Sequence, residues 1–179
     1  DCLKPFANAW LGGQPYGQVD VVSVDDEIRL ADLARYKLLV FGGFNLMTER
    51  AQTVLVRWME QGGTLVMCLP QLLTTADREV THYAASSLLP AFPGLVVGQD
   101  PVAVEGVPTT SAAAPTGLVA AASASLKLRV ADTTFDKDTQ VLVSVAGKPL
   151  LLRRDLGKGA FYLFTGWGFP GEGNAYSEL

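Results

Sequence analysis

The chain has a single histidine, two cysteines and no long apolar run, and each shortage excludes something. One His, His82, leaves no basis for a multi-histidine metal site. Cys2 and Cys68 allow one bridge at most and match no zinc-ligand spacing, so they fix no redox compartment. No stretch approaches the roughly 18 apolar residues of a membrane span. Positive charge is also scarce: Lys and Arg number 14 against 18 Asp and Glu, for a net charge of −4. With no basic stripe to neutralise phosphates, nucleic acid is not an expected partner. The G-x-G-x-x-G fingerprint of dinucleotide sites is missing, and no other cofactor motif takes its place.

What remains is a composition suited to one folded domain. The 179 residues are 49% hydrophobic and 18% charged, enough to bury a real core. Residues 18–24 are rich in β-branched side chains and read as a strand. The acidic turn Asp25-Asp26-Glu27 suits a helix N-terminus, with Ile28, Leu30, Ala31, Leu33 and Ala34 forming a short helical stretch. Residues 38–41 are apolar throughout, as in a strand buried on both faces. Thr48 is placed to cap a helix over 49–61, in which Ala51, Val54, Leu55, Trp58 and Met59 form one apolar stripe. Glu49, Arg50, Arg57, Glu60 and Gln61 fall on the other side, and Gly62 stands at the C-terminal cap. Residues 64–69 are the next buried strand, stopped by Pro70.

Strand and helix in alternation predict right-handed βαβ units, with strands 19–24, 38–41 and 64–69 mutually parallel. Residues 90–125, with five prolines and an Ala/Ser/Thr-rich stretch from 109, read as extended connections and loops. Three strands follow in a meander, 139–145, 149–154 and 160–165, with Gly147, Gly157 and Gly159 at the turns. The predicted architecture is a single α/β domain: a Rossmann-like or flavodoxin-like parallel sheet flanked by helices, with a C-terminal β-meander.

The run Tyr36–Leu69, YKLLVFGGFNLMTERAQTVLVRWMEQGGTLVMCL, resembles the class I glutamine-amidotransferase-like fold. It is most similar to the non-catalytic version found in bacterial glycoside hydrolases, such as the trimerisation domain of family 42 β-galactosidases. The later GKPLLLRRDLGKGAFYLFTGWG resembles the C-terminal β-hairpin region of such domains. The resemblance implies an accessory role in a larger carbohydrate-active enzyme, supporting assembly or edging an active site elsewhere. It implies other domains of the same polypeptide as partners and leaves a homo-oligomer and a carbohydrate ligand open. It also implies a strand ahead of a first helix at Pro5–Trp10, and hence a piece of a longer polypeptide.

Catalytic members of that family carry a Cys nucleophile on a glycine-framed turn and a His late in the chain. Cys68 is the one candidate, yet it lies in Val66-Met67-Cys68-Leu69-Pro70 with no flanking glycine, and no His follows His82. A buried structural cysteine is the better reading. His82, in a polar stretch, reads as a surface or capping residue. Gly42, Gly43 and Asn45 follow a strand's carboxyl end, where ligands bind in open α/β sheets; a tight turn is the plainer alternative. Trp167, Phe169 and Tyr176 stand among glycines and suit either a stacked sugar ring or packing against a neighbouring domain. Asp25-Asp26-Glu27 could hold a metal, although a solvated helix start explains it as well.

Overall fold

The computed structural model describes residues 20–41, 48–69, 92, 94–98, 101–114 and 125–167. Two helices and ten strands are assigned among them. Helix α1 is Leu30–Leu33 and α2 is Glu49–Glu60. The strands are β1 Leu38–Val40, β2 Thr64–Cys68, β3 Val96–Val97, β4 Val102–Gly106, β5 Thr109–Thr110, β6 Leu126–Val130, β7 Thr133–Thr134, β8 Gln140–Val145, β9 Lys148–Leu156 and β10 Gly159–Phe164.

The main sheet has the order β1-β2-β10-β9-β8-β5. Its first three strands are parallel, with Val40 opposite Val66 and Phe164 opposite Cys68. From β10 onward every pairing is antiparallel. The sheet is therefore mixed, and strands outweigh helices. The expected parallel sheet flanked by helices holds only for the β1-α2-β2 unit and its neighbour β10. The predicted meander is present as β8, β9 and β10.

Helix α2 forms where its sequence directs it. The Thr48 side chain accepts the Ala51 N–H at 3.4 Å, and Gly62, at φ +121°, lets the chain turn out of the helix. Ala51, Leu55, Trp58 and Met59 are buried in one cluster with Leu65, Met67, Phe161 and Leu163 of the sheet. Phe92 joins this core, with its ring 4.9 Å from that of Phe161 and edge-on to it. Side chains alternate across a strand, so Val66, Cys68, Tyr162 and Phe164 lie on the opposite face. There Cys68 and Phe164 form a second core with Val130, Leu142 and Leu150, and Leu128 and Val104 pack on it.

Leu128 and Val104 belong to a two-stranded ribbon, β4 with β6, inside and just after the segment expected to be loops. A second short ribbon pairs β3 with β7. The connections are thus partly strands: β4–β6 packs on the far face through Val104 and Leu128, and Val97 of β3 lies in the helix-side core. Glycine works in two different ways at the meander turns. Ala146 and Gly147, at φ +47° and +77°, make the tight β8–β9 hairpin. Gly159 has no positive φ; a Cβ there would stand 2.1 Å from the Gly63 carbonyl oxygen, so its role is close approach, not backbone freedom.

Two expectations near the start need correction. Residues 20–24, the described part of the 18–24 run, belong to no strand. The acidic turn also does not cap α1. Asp25 instead accepts from the Glu27 N–H at 2.9 Å and from the Ser23 hydroxyl at 3.0 Å, closing its own turn. The carboxylate at the start of α1 is Asp32, which accepts the Arg29 N–H at 3.0 Å.

Candidate functional site

Because β1, β2 and β10 are parallel, their carboxyl ends lie along one edge of the sheet. In open α/β sheets ligands bind outside such ends. Cys68 ends β2 and Trp167 follows β10 at this edge, and Gly42, Gly43 and Asn45 follow β1 in the sequence. Gly42, Gly43 and Asn45 lie outside the described residues, as do Cys2, His82, Phe169 and Tyr176.

Cys68 is 3% exposed. Its backbone sits in the β2–β10 ladder opposite Phe164, and its side chain lies in the apolar cluster with Val130, Leu142 and Leu150. A nucleophile needs an exposed sulfur and a base within reach. This position, the last residue of β2, is instead buried among apolar side chains.

Beyond Phe164 the chain is fastened on both sides. Thr165 is fully buried. Its N–H donates to the Leu150 carbonyl at 2.9 Å, and its hydroxyl to the Pro149 carbonyl at 2.6 Å. The Ala131 N–H donates to the Thr165 carbonyl at 3.1 Å, and the Trp167 N–H to the Arg129 carbonyl at 2.7 Å. Residues 165–167 thus run antiparallel to the end of β6, with Val130 bridged to Gly166. Trp167 is half-buried and packed against the helix-side core. Its packing against that core gives the indole a structural role.

Near the start of α2 the edge carries acid. The Thr48 hydroxyl donates to the Asp26 carboxylate, while Asp25 is spent on its own turn. Among the described residues no three His, Cys, Asp or Glu side chains form a cluster able to hold a metal. No described helix is long and apolar enough to cross a membrane.

The strongest polar cluster lies elsewhere and was not visible in the sequence. Asp136 accepts from the Thr139 hydroxyl and the Asp138 N–H, each at 3.1 Å, and pairs with the Arg154 guanidinium. That guanidinium holds the Asp136 carboxyl below the usual carboxylate range, against a smaller opposing effect of desolvation. Its partners come from β9 and the turn after β7, which sequence distance hides. A groove of about 350 Å³ lined by Thr64, Arg153, Asp155, Lys158 and Tyr162 opens on the sheet at the end opposite the carboxyl edge. Arg153 there is tied to Asp155 at 2.7 Å and lies over the Tyr162 ring.

No family model matches the chain, and no curated protein matches it in sequence. Solved structures do match in fold. The beta-galactosidase from Rahnella sp. R3 superposes with a TM-score of 0.66 at 15% identity, over 97% of this chain and 25% of its own. Gan42B, a GH42 beta-galactosidase from G. stearothermophilus, gives 0.64 at 19% identity, over 90% and 22%. A cytoplasmic protein of Salmonella typhimurium LT2 gives 0.65 at 16% identity, over 97% and 81%. The chain therefore spans about a quarter of the beta-galactosidases and most of the Salmonella protein. At these identities the likeness is one of fold.

Proposed function

We propose that these residues form a non-catalytic, amidotransferase-like accessory domain of a larger carbohydrate-active enzyme, a glycoside hydrolase. Its role there is to support assembly or to edge an active site carried by another domain. The observation that supports the non-catalytic half is the burial of Cys68 at the end of β2, in an apolar cluster. The glycosidase half rests on analogy of fold with segments of two beta-galactosidases. The β1-α2-β2 unit with β10 parallel beside it is the part of the sheet that fits a Rossmann-like reading. Gly42, Gly43, Asn45 and Trp167 are the residues we assign to a ligand or neighbouring domain.

A second reading has one observation in its favour. The same fold occurs in two Salmonella proteins of which this chain spans 81% and 83%, so it also exists with little attached. One experiment addresses both readings. The polypeptide as its gene encodes it is assayed for glycoside hydrolysis, with and without Cys68→Ser. Hydrolysis unchanged by the substitution supports the accessory reading. No glycosidase activity favours the second reading. Loss of any activity by about a thousandfold with the fold intact would make Cys68 a nucleophile and overturn both.

A further inference from the structure

The two ends of the sheet's far face differ. At the carboxyl ends of β2 and β10, Val104 and Leu128 of the β4–β6 ribbon pack on the cluster of Cys68 and Phe164. Toward the amino ends of the same strands lies the groove of about 350 Å³. Strand register builds it. Ala160 stands between Thr64 and Asp155, and Tyr162 stands between Val66 and Arg153, so two rows of side chains cross three strands. Ala160 is small, which leaves a hollow between the longer side chains, and Lys158 joins the lining from the β9–β10 turn.

The lining is polar, and much of its bonding capacity is unspent. Arg153 places both Nε and Nη2 on one oxygen of Asp155, at 3.0 and 2.7 Å. Its guanidinium carbon lies 5.7 Å from the centre of the Tyr162 ring. Carboxylate and ring together hold the guanidinium in place, leaving Nη1 and the second Asp155 oxygen over. Among the described residues the Lys158 ammonium and the Thr64 and Tyr162 hydroxyls have no hydrogen-bond or ion-pair partner. Cations, hydroxyls and a carboxylate with capacity to spare thus line one hollow.

Their chemistry selects a ligand. Arg153 and Lys158 against Asp155 leave one net positive charge, which suits a monoanion. Asp155 repels a phosphate, which carries about −1.5 to −2 at neutral pH. An ionised carboxylate only accepts, so the second Asp155 oxygen calls for a donor on the ligand, such as a hydroxyl. The one aromatic ring in the lining already lies under Arg153, so an apolar ligand finds little to pack on. The volume is near the lower end of small-molecule sites, which run from about 300 to 1,000 Å³. We propose that this groove binds a small hydroxylated carboxylate the size of one sugar ring. Its carboxylate meets Lys158 and Nη1 of Arg153, and its hydroxyls meet Asp155, Tyr162 and Thr64. The site goes beyond the accessory reading and depends neither on Cys68 nor on activity in another domain.

Titration of D-glucuronate into the 179-residue chain, followed by backbone amide shifts, tests it. Amides of Arg153, Lys158, Gly159 and Tyr162 should shift and saturate, with a dissociation constant of about a millimolar. D-glucose, which lacks the carboxylate, and acetate, which lacks the hydroxyls, should each bind at least about tenfold more weakly. Lys158→Gln should weaken D-glucuronate by about tenfold, and Tyr162→Phe by about threefold. Lys158 is exposed, so its variant keeps the fold and tests the site by itself. No saturating shift by about 50 mM D-glucuronate would overturn the proposal. So would acetate or D-glucose binding as well as D-glucuronate, or inorganic phosphate binding more tightly. Binding that Lys158→Gln leaves unchanged would place the ligand elsewhere and overturn it too.

Discussion

The indole N–H of Trp58 donates to the carbonyl oxygen of Leu33 at 3.0 Å, in a buried setting. This bond ties α2 to α1 at a carbonyl that also accepts the Tyr36 N–H at 3.0 Å, so the indole takes its second lone pair. Trp58→Ala should therefore remove both the packing and the donor, at a cost of about 3–5 kcal/mol. Trp58→Phe keeps most of the packing and leaves the Leu33 carbonyl its Tyr36 N–H donor, so it should cost less, about 0.5–1.5 kcal/mol for the lost hydrogen bond. Denaturant midpoints of the two variants check the ranking; a loss under about 1 kcal/mol for Trp58→Ala would mean the indole carries little of the core.

Glycines of the meander should separate by mechanism. At Gly147, φ +77°, an added Cβ would meet nothing within 4 Å, so Gly147→Ala faces backbone strain alone, about 1–2 kcal/mol. Gly157, at φ +61°, would in addition place a Cβ 2.5 Å from the Glu60 carbonyl oxygen. Gly157→Ala should cost about 1–3 kcal/mol more than Gly147→Ala. Thermal melts of the pair decide it, and equal losses would contradict the close approach of the β9–β10 turn to α2.

Acid should loosen the turn at Asp136. Its carboxyl is held low by the Arg154 hydrogen bond, so the folded state binds this proton less readily than the unfolded chain. The stabilisation is complete above the unfolded carboxyl value of about 4 and is lost as pH falls through the lower folded value. Asp136→Asn should flatten the stability profile below about pH 4 while leaving its shape near neutrality unchanged. An unaltered acid limb would show that other carboxylates govern it.

How much of this was legible follows from where the signals lie. Helix α2 announces itself through local marks, the Thr48 cap, the Ala51–Met59 stripe and Gly62, and all three act as read. The meander is equally local. Strands β4 and β6 escape the sequence reading although Leu126, Leu128 and Val130 alternate with Lys127 and Arg129, a period-two pattern. The prolines and the Ala/Ser/Thr-rich stretch before them overshadow it. The Asp136–Arg154 pair, 18 residues apart, has no local signature at all. Residues 20–24 have strand composition, yet pairing depends on a neighbour, and composition does not reveal whether one is there.

The central claim is that Cys68 is structural, and alkylation of the native chain at neutral pH tests it most directly. Peptide mapping separates Cys68 from Cys2. Cys68 lies in the apolar cluster with Phe164, Leu142 and Val130, so reagent should reach it only through opening of the fold. Its labelling should be on the order of a thousandfold slower than in denaturant, set by the opening equilibrium. Labelling of Cys68 in the native chain as fast as in denaturant, or faster, would contradict the account.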